Sequence, residues 1–280
     1  MKRILTAVLL VAVALLILFK APLWLAALFV AIIAELALHE YIHLANASGA
    51  KLSPWLPMLC GGLLFLTTFA LPTTLLMPAV GAMSLLLLLV YSFSSPLHRV
   101  LPDTAFSIFG LLYVVYPLSL LPLFLTRENG IGLLLFLFAI VWVGDIVALY
   151  VGRAFGKRKF APHISPNKTW EGAAGSMAGS IVAGMAVILI SNALAERNIG
   201  TVYFMEPLWQ WLAISVLLNV AAQVGDLLES ALKRGADVKD SGNLLPGHGG
   251  MLDRVDALLL AAPTLWFALL LRDYFAQSRF

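Results

Sequence analysis

Between Ser230 and Asp256 the chain reads SALKRGADVKDSGNLLPGHGGMLDRVD, and eight of these 27 residues are charged. The chain as a whole is 61% hydrophobic and only 12% charged, so this concentration has to serve something. Lys233, Arg234, Lys239 and Arg254 are cations; Asp237, Asp240, Asp253 and Asp256 are carboxylates; Gly247, Gly249 and Gly250 flank or follow His248 in a flexible turn. Ionisable side chains in or beside apolar segments mark sites for polar ligands. Cations with free backbone N–H groups suit a polyanion such as a triphosphate. Carboxylates suit magnesium, which takes one or two of them and fills its remaining positions with substrate phosphates.

Further candidates lie upstream. Asp226 and Glu229 are three residues apart and share a helix face. Asp226 with Asp253 is the favoured metal pair, with Asp256 and Asp145 as further acidic ligands. Glu229 and Lys233, four apart, are expected to form an intrahelical ion pair. Asp145 falls inside an apolar run, where a carboxylate needs a cation, a donor or an ion pair with a neighbouring helix. The stretch Gly152–Lys159 resembles a P-loop only superficially, since three residues separate its glycines and no Ser or Thr follows the lysine. Its Arg153, Arg158 and Lys159 are read as lipid-facing cations. Next comes Ser165-Pro166-Asn167-Lys168-Thr169-Trp170-Glu171-Gly172. Ser165 or Asn167 is expected to cap the following helix, with Lys168 beside its free N–H groups as an anion site.

Two blocks carry a family resemblance. Ser230, Lys233-Arg234, Lys239-Asp240, Pro246 to Gly250 and Asp253-Arg254-x-Asp256 stand in the order of the signature of phosphatidate cytidylyltransferases (CDP-diacylglycerol synthases). Ser165 to Gly172 resembles a second block of the same family, and the likeness runs from about Asp145 onward. It implies a reaction in which phosphatidic acid and CTP give CDP-diacylglycerol and pyrophosphate, with Mg²⁺ required and K⁺ a candidate companion. By the same resemblance, Asp226, Lys233, Arg234, Lys239, Asp240, His248, Asp253 and Arg254 are catalytic candidates. Ser165, Lys168, Thr169, Glu171, Gly247, Gly249 and Gly250 are candidates for substrate binding. His248 would steady a phosphate oxygen, donate a proton, or simply occupy the turn. The implied partners are CTP, phosphatidic acid and membrane lipid, with no nucleic acid; a homodimer is left open.

Other chemistries compete. A CTP-dependent polyprenol or phytol kinase would use the same charges. His39-Glu40-Tyr41-Ile42-His43 satisfies the zinc-protease pattern His-Glu-x-x-His, although a catalytic zinc needs a third protein ligand. A transporter or lipid-binding scaffold using Asp145 and Asp226 as an ion path is the third alternative.

The elements that must hold these residues are helices. A spanning helix needs roughly 20 apolar residues, and runs near 4–19, 23–45, 54–72, 74–93, 104–125, 130–150, 172–192, 208–230 and 255–271 meet that need. The expected fold is all-α and polytopic, with about nine transmembrane helices in one membrane domain, 1–280. Residues 1–128 form a variable amino-terminal part; 129–280 form the catalytic portion, with loops 151–171 and 231–254. Segment 94–103, with Pro96, His98, Arg99 and Pro102, reads as a turn whose cation meets lipid head groups. Met1-Lys2-Arg3 and its apolar sequel read as a first span and not as a cleaved signal. Cys60, alone, excludes an internal disulfide and reads as a small core residue. With nine spans, 13 of the 18 Lys and Arg share the face of the amino terminus and the charged loops. The positive-inside rule makes that face cytoplasmic, consistent with an inner (plasma) membrane location.

Overall fold

The computed structural model describes residues 12–277 apart from 200–201, 205–206, 243 and 245–248. Helices dominate: α1 (Leu23–Ala47), α2 (Trp55–Ala70), α3 (Leu76–Ser94), α4 (Leu97–Gly110), α5 (Tyr116–Phe124), α6 (Gly130–Phe155), α7 (Trp170–Glu196), α8 (Leu208–Gly235) and α9 (Leu252–Gln277). A helical stretch over residues 12–20 precedes α1. A π-helical turn, Leu111–Val115, joins α4 to α5, so residues 97–124 form one long helical run. Seven helices among the described residues are long and apolar enough to cross a membrane. The protein is therefore an all-α, multi-pass membrane protein. Residues 4–11 of the expected first span, 4–19, lie outside the described residues. The expected third span is shorter than anticipated: α2 has 16 residues, and at ~1.5 Å per residue it falls short of a ~30 Å hydrocarbon core.

Segment 94–103 is not a loop. Helix α3 ends at Ser94 and α4 begins at Leu97, with Pro102 inside it. Asp103, 1% exposed, accepts hydrogen bonds from Arg99 (3.0 Å), the Lys51 backbone N–H (3.3 Å) and Ser95 Oγ (3.5 Å). Arg99 therefore neutralises a buried carboxylate instead of meeting lipid head groups. Burial without such partners would be prohibitive.

The chain divides into two compact units. The first comprises residues 1–123 with 232–255, the second 124–231 with 256–280. The first unit's core is Leu38, Leu64, Leu87 and Val114, each fully buried. Tyr41 lies against it: its hydroxyl donates to the Phe106 carbonyl (2.9 Å), and its ring neighbours Phe109 and Tyr113. Cys60 is buried there, as expected.

In the second unit, α6 and α7 lie side by side through small residues. A side chain at Gly175 or Gly179 would strike Val151 or Val147, each at 2.7 Å. Small residues of this kind let helix backbones approach closely in lipid. Polar side chains then stitch the helices together: Ser180 donates to the Ile140 carbonyl (2.7 Å), and Asn219 to Ser176 and Ser180 (2.8 Å each). Phe136, Phe204 and Trp211 close the core.

Between α6 and α7 runs a two-stranded antiparallel hairpin, β1 (Lys159–Ala161) and β2 (Ser165–Thr169), with Lys159 opposite Thr169. The expected helix caps at Ser165 or Asn167 are strand residues instead. Thr169 is the cap: its Oγ1 accepts from the Gly172 N–H at 3.2 Å, and its extended backbone (φ −127°, ψ 153°) ends the strand.

Candidate active site

In the second unit, hairpin β1–β2 brings Lys168 to Asp226 on α8, Nζ to Oδ2 at 2.8 Å. Both are part-exposed, at 25% and 37%. Ser230, one turn on, donates to Asp226 Oδ1 at 3.4 Å. Helix α8 meets α9 backbone to backbone: a Cβ on Gly225 would lie 2.6 Å from the Asp256 carbonyl oxygen. Asp226 and Asp256 consequently stand within range of each other's charge, and Glu229 and Asp145 join them. Next to Asp145, Gly144 fits against Ser176, Ser180 and Asn219 where a side chain would not. These four carboxylates, one of them paired to Lys168, form an anionic neighbourhood of hard oxygen donors, the ligand type that magnesium prefers. Among the described residues no group of three or more His, Cys, Asp or Glu is arranged to enclose a metal ion by itself. A magnesium ion here would take one or two of these carboxylates and need its remaining oxygen ligands from elsewhere.

Glu171 has a local task. Its carboxylate accepts from the backbone N–H groups of Lys157 (3.1 Å) and Arg158 (3.2 Å), tying the end of α6 to the start of α7.

In the first unit Lys233 reaches Asp253, Nζ to Oδ1 at 2.6 Å, with side-chain exposures of 12% and 8%. The other oxygen, Oδ2, accepts from Gly250 N–H (2.8 Å), Ser241 N–H (3.1 Å) and Ser241 Oγ (3.0 Å). Gly249 has φ +76°, and a side chain there would also meet Asp253 Oδ2 at 2.6 Å. Glycine is required on both counts. Arg234 donates to the Val238 carbonyl (3.0 Å) and caps the end of α8. Lys239, Asp240 and Arg254 are exposed. Gly247 and His248 lie outside the described residues.

Sequence reasoning missed Glu40. This side chain on α1 is 6% exposed and accepts from Ser241 Oγ (2.9 Å), Met251 N–H (2.9 Å) and Leu252 N–H (2.8 Å). The available signal was its place in His39-Glu40-x-x-His43, which pointed to zinc. Instead, His39 and His43 are exposed and pack edge to face at 4.6 Å, while the buried Glu40 is spent on the loop before α9.

The model of the cytidylyltransferase family matches residues 1–271. The chain belongs to the cytidylyltransferase family. The match includes the amino-terminal helices, so family membership extends well before Asp145. Relatives named phosphatidate cytidylyltransferase include a Bacillus subtilis protein, 44% identical over 144 residues, covering 51% of this chain and 49% of the relative. One from Brucella abortus is 43% identical over 160 residues, covering 56% and 54%. One from Staphylococcus saprophyticus is 38% identical over 179 residues, covering 64% of each. The chain thus spans about half the length of the first two relatives it matches and somewhat more of the third. This member of the cytidylyltransferase family carries two lysine–carboxylate pairs, Lys168–Asp226 and Lys233–Asp253. The zinc-protease and transporter readings receive no support from these relatives.

Proposed function

We propose that this protein transfers CMP from CTP to phosphatidic acid, forming CDP-diacylglycerol and pyrophosphate in phospholipid biosynthesis. The observation that carries the reading is the largely buried Lys233–Asp253 pair, which joins the end of α8 to the start of α9 in a member of the cytidylyltransferase family. The named relatives support the lipid substrate. In this reaction an ionised phosphatidate oxygen attacks the α-phosphorus of CTP, and the bond to the β-phosphate oxygen breaks as pyrophosphate leaves. The nucleophile is already anionic, so no activated Ser or Cys is needed. The protein's task is to orient two anions and stabilise the leaving charge.

Magnesium held by Asp226 with Asp145 or Asp256 would neutralise the triphosphate and the departing pyrophosphate; K⁺ is proposed as its companion. Lys168 exchanges its carboxylate for a phosphate oxygen when nucleotide binds. That exchange keeps the ammonium paired and turns Asp226 toward cations. Asp253, saturated with protein donors, serves first to hold Lys233 and the Gly250 backbone in place. A mostly apolar groove of about 380 Å³, lined by Tyr41, Leu44, Phe106, Phe109 and Leu232 among others, supports seating one acyl chain of the lipid. The charged segments are assigned to the cytoplasmic face of the inner membrane, where CTP is available; the distribution of Lys and Arg supports this.

The test uses purified protein and radiolabelled CTP. Label should enter chloroform-soluble lipid only when phosphatidic acid and Mg²⁺ are both present, and Asp253→Asn should lower the rate about 100-fold or more. Incorporation without phosphatidic acid, or a fully active Asp253→Asn, would refute the proposal.

A further inference from the structure

Glu40 lies 201 residues before Ser241 and 212 before Leu252 in sequence, yet all three are joined by hydrogen bonds. A buried carboxylate is retained only where donors satisfy it, and here the donors all come from one short segment. Met251 and Leu252 present the first N–H groups of α9 and its approach, which have no intrahelical partner. Glu40 caps them from another helix, Oε1 to Met251 and Oε2 to Leu252. Ser241 Oγ lies 2.9 Å from Glu40 Oε2 and 3.0 Å from Asp253 Oδ2, so the single proton of one hydroxyl is shared between the two carboxylates. Space is equally committed. A Cβ on Gly242 would come within 2.5 Å of Glu40 Oε1, and one on Gly250 would strike Glu40 Oε2 and Ser241 Oγ.

We infer that Glu40 is a positioning residue that sets Asp253, and through it Lys233, by anchoring Ser241 and the Gly250–Leu252 backbone. The inference rests on the proposed cytidylyltransferase reaction for its kinetic consequence, and on geometry alone for its structural one. The chain of contacts is short: Glu40 to Ser241 to Asp253 Oδ2, with Asp253 Oδ1 left to Lys233. Glu40 itself meets only Ser241 and backbone groups among the described contacts, so it acts through others.

Glu40→Gln is nearly isosteric but replaces one acceptor oxygen with an NH₂ group, which faces donors. Hydrogen exchange and steady-state kinetics would be measured together on the full-length protein in detergent, using CTP, phosphatidic acid and Mg²⁺. Expected for Glu40→Gln are at least tenfold faster exchange confined to peptides covering residues 249–255, and a kcat at least tenfold lower. KM for phosphatidic acid should stay within threefold, and Tm should be nearly unchanged. Ser241→Ala should lower kcat in the same direction, and the double variant should lose less than the product of the two single losses. Should Glu40→Gln fail to fold, Ser241→Ala carries the same exchange and kinetic test. Unchanged exchange at 249–255, or Glu40→Gln and Ser241→Ala losses that multiply independently, would overturn the inference. So would activity falling only in step with Tm and with exchange throughout the unit. If the wild type makes no CDP-diacylglycerol, the proposed reaction fails while the exchange result still decides the anchoring role.

Discussion

Lys168–Asp226 and Lys233–Asp253 are chemically the same pair in different surroundings. Lys233 and Asp253 are 12% and 8% exposed, Lys168 and Asp226 25% and 37%. Removing one partner of a buried pair strands the other charge, whereas a part-exposed pair is screened by water. Lys233→Met should therefore destabilise the folded protein by about 3 kcal/mol, measured by denaturant titration of the detergent-solubilised protein. Lys168→Met should change stability by less than about 1 kcal/mol, yet raise KM for CTP about tenfold, because its lost contact is with nucleotide. Equal stability losses for the two variants would show that the difference in burial does not govern them. Residue types in the Ser230–Asp256 stretch were legible because apolar surroundings make every charge conspicuous. Partners were not. Sequence spacing relates Lys233 to Glu229, but it does not reveal the tertiary contact with Asp253. Glu40 was masked by a plausible metal motif, since a short pattern cannot say which way a side chain faces.

Helices and their packing set what those residues can reach. Gly225 lets α8 and α9 touch at Asp256, which is how two carboxylates from separate helices come to share one neighbourhood. Gly225→Ala would place a methyl group 2.6 Å from a backbone carbonyl that cannot rotate away. Such overpacking costs about 1–3 kcal/mol. The expected outcome is a lowered Tm and a larger Mg²⁺ concentration for half-maximal activity; a variant with wild-type values for both would contradict the packing argument. Most long helices were legible, because apolar runs of spanning length have few alternatives. Residues 94–103 were not, since two prolines with His98, Arg99 and Asp103 mimic a turn. The helix there depends on Arg99, Ser95 and Lys51 satisfying Asp103, a tertiary arrangement that no local pattern reveals. The hairpin over 159–169 is equally hard to see in sequence, for its strands are three and five residues long.

At the scale of the molecule, the segment 232–255 groups with the amino-terminal helices. Within that first unit, Glu40 on α1 joins the segment through Ser241, Met251 and Leu252, and the family match over 1–271 includes the early helices. What composition could establish was a multi-pass all-α protein. What it could not establish was which early helix supports the charged segment, because spans rich in Leu, Ala, Val and Phe show no distinct packed face.

The central claim is that nucleotidyl transfer, and not phosphoryl transfer, takes place on the lipid. Parallel reactions with α-labelled and γ-labelled CTP, phosphatidic acid and Mg²⁺ test it most directly. Label from the α-phosphate should enter the lipid, and label from the γ-phosphate should appear in pyrophosphate. Lipid labelled from the γ-phosphate, or no labelled lipid from either nucleotide, would contradict it.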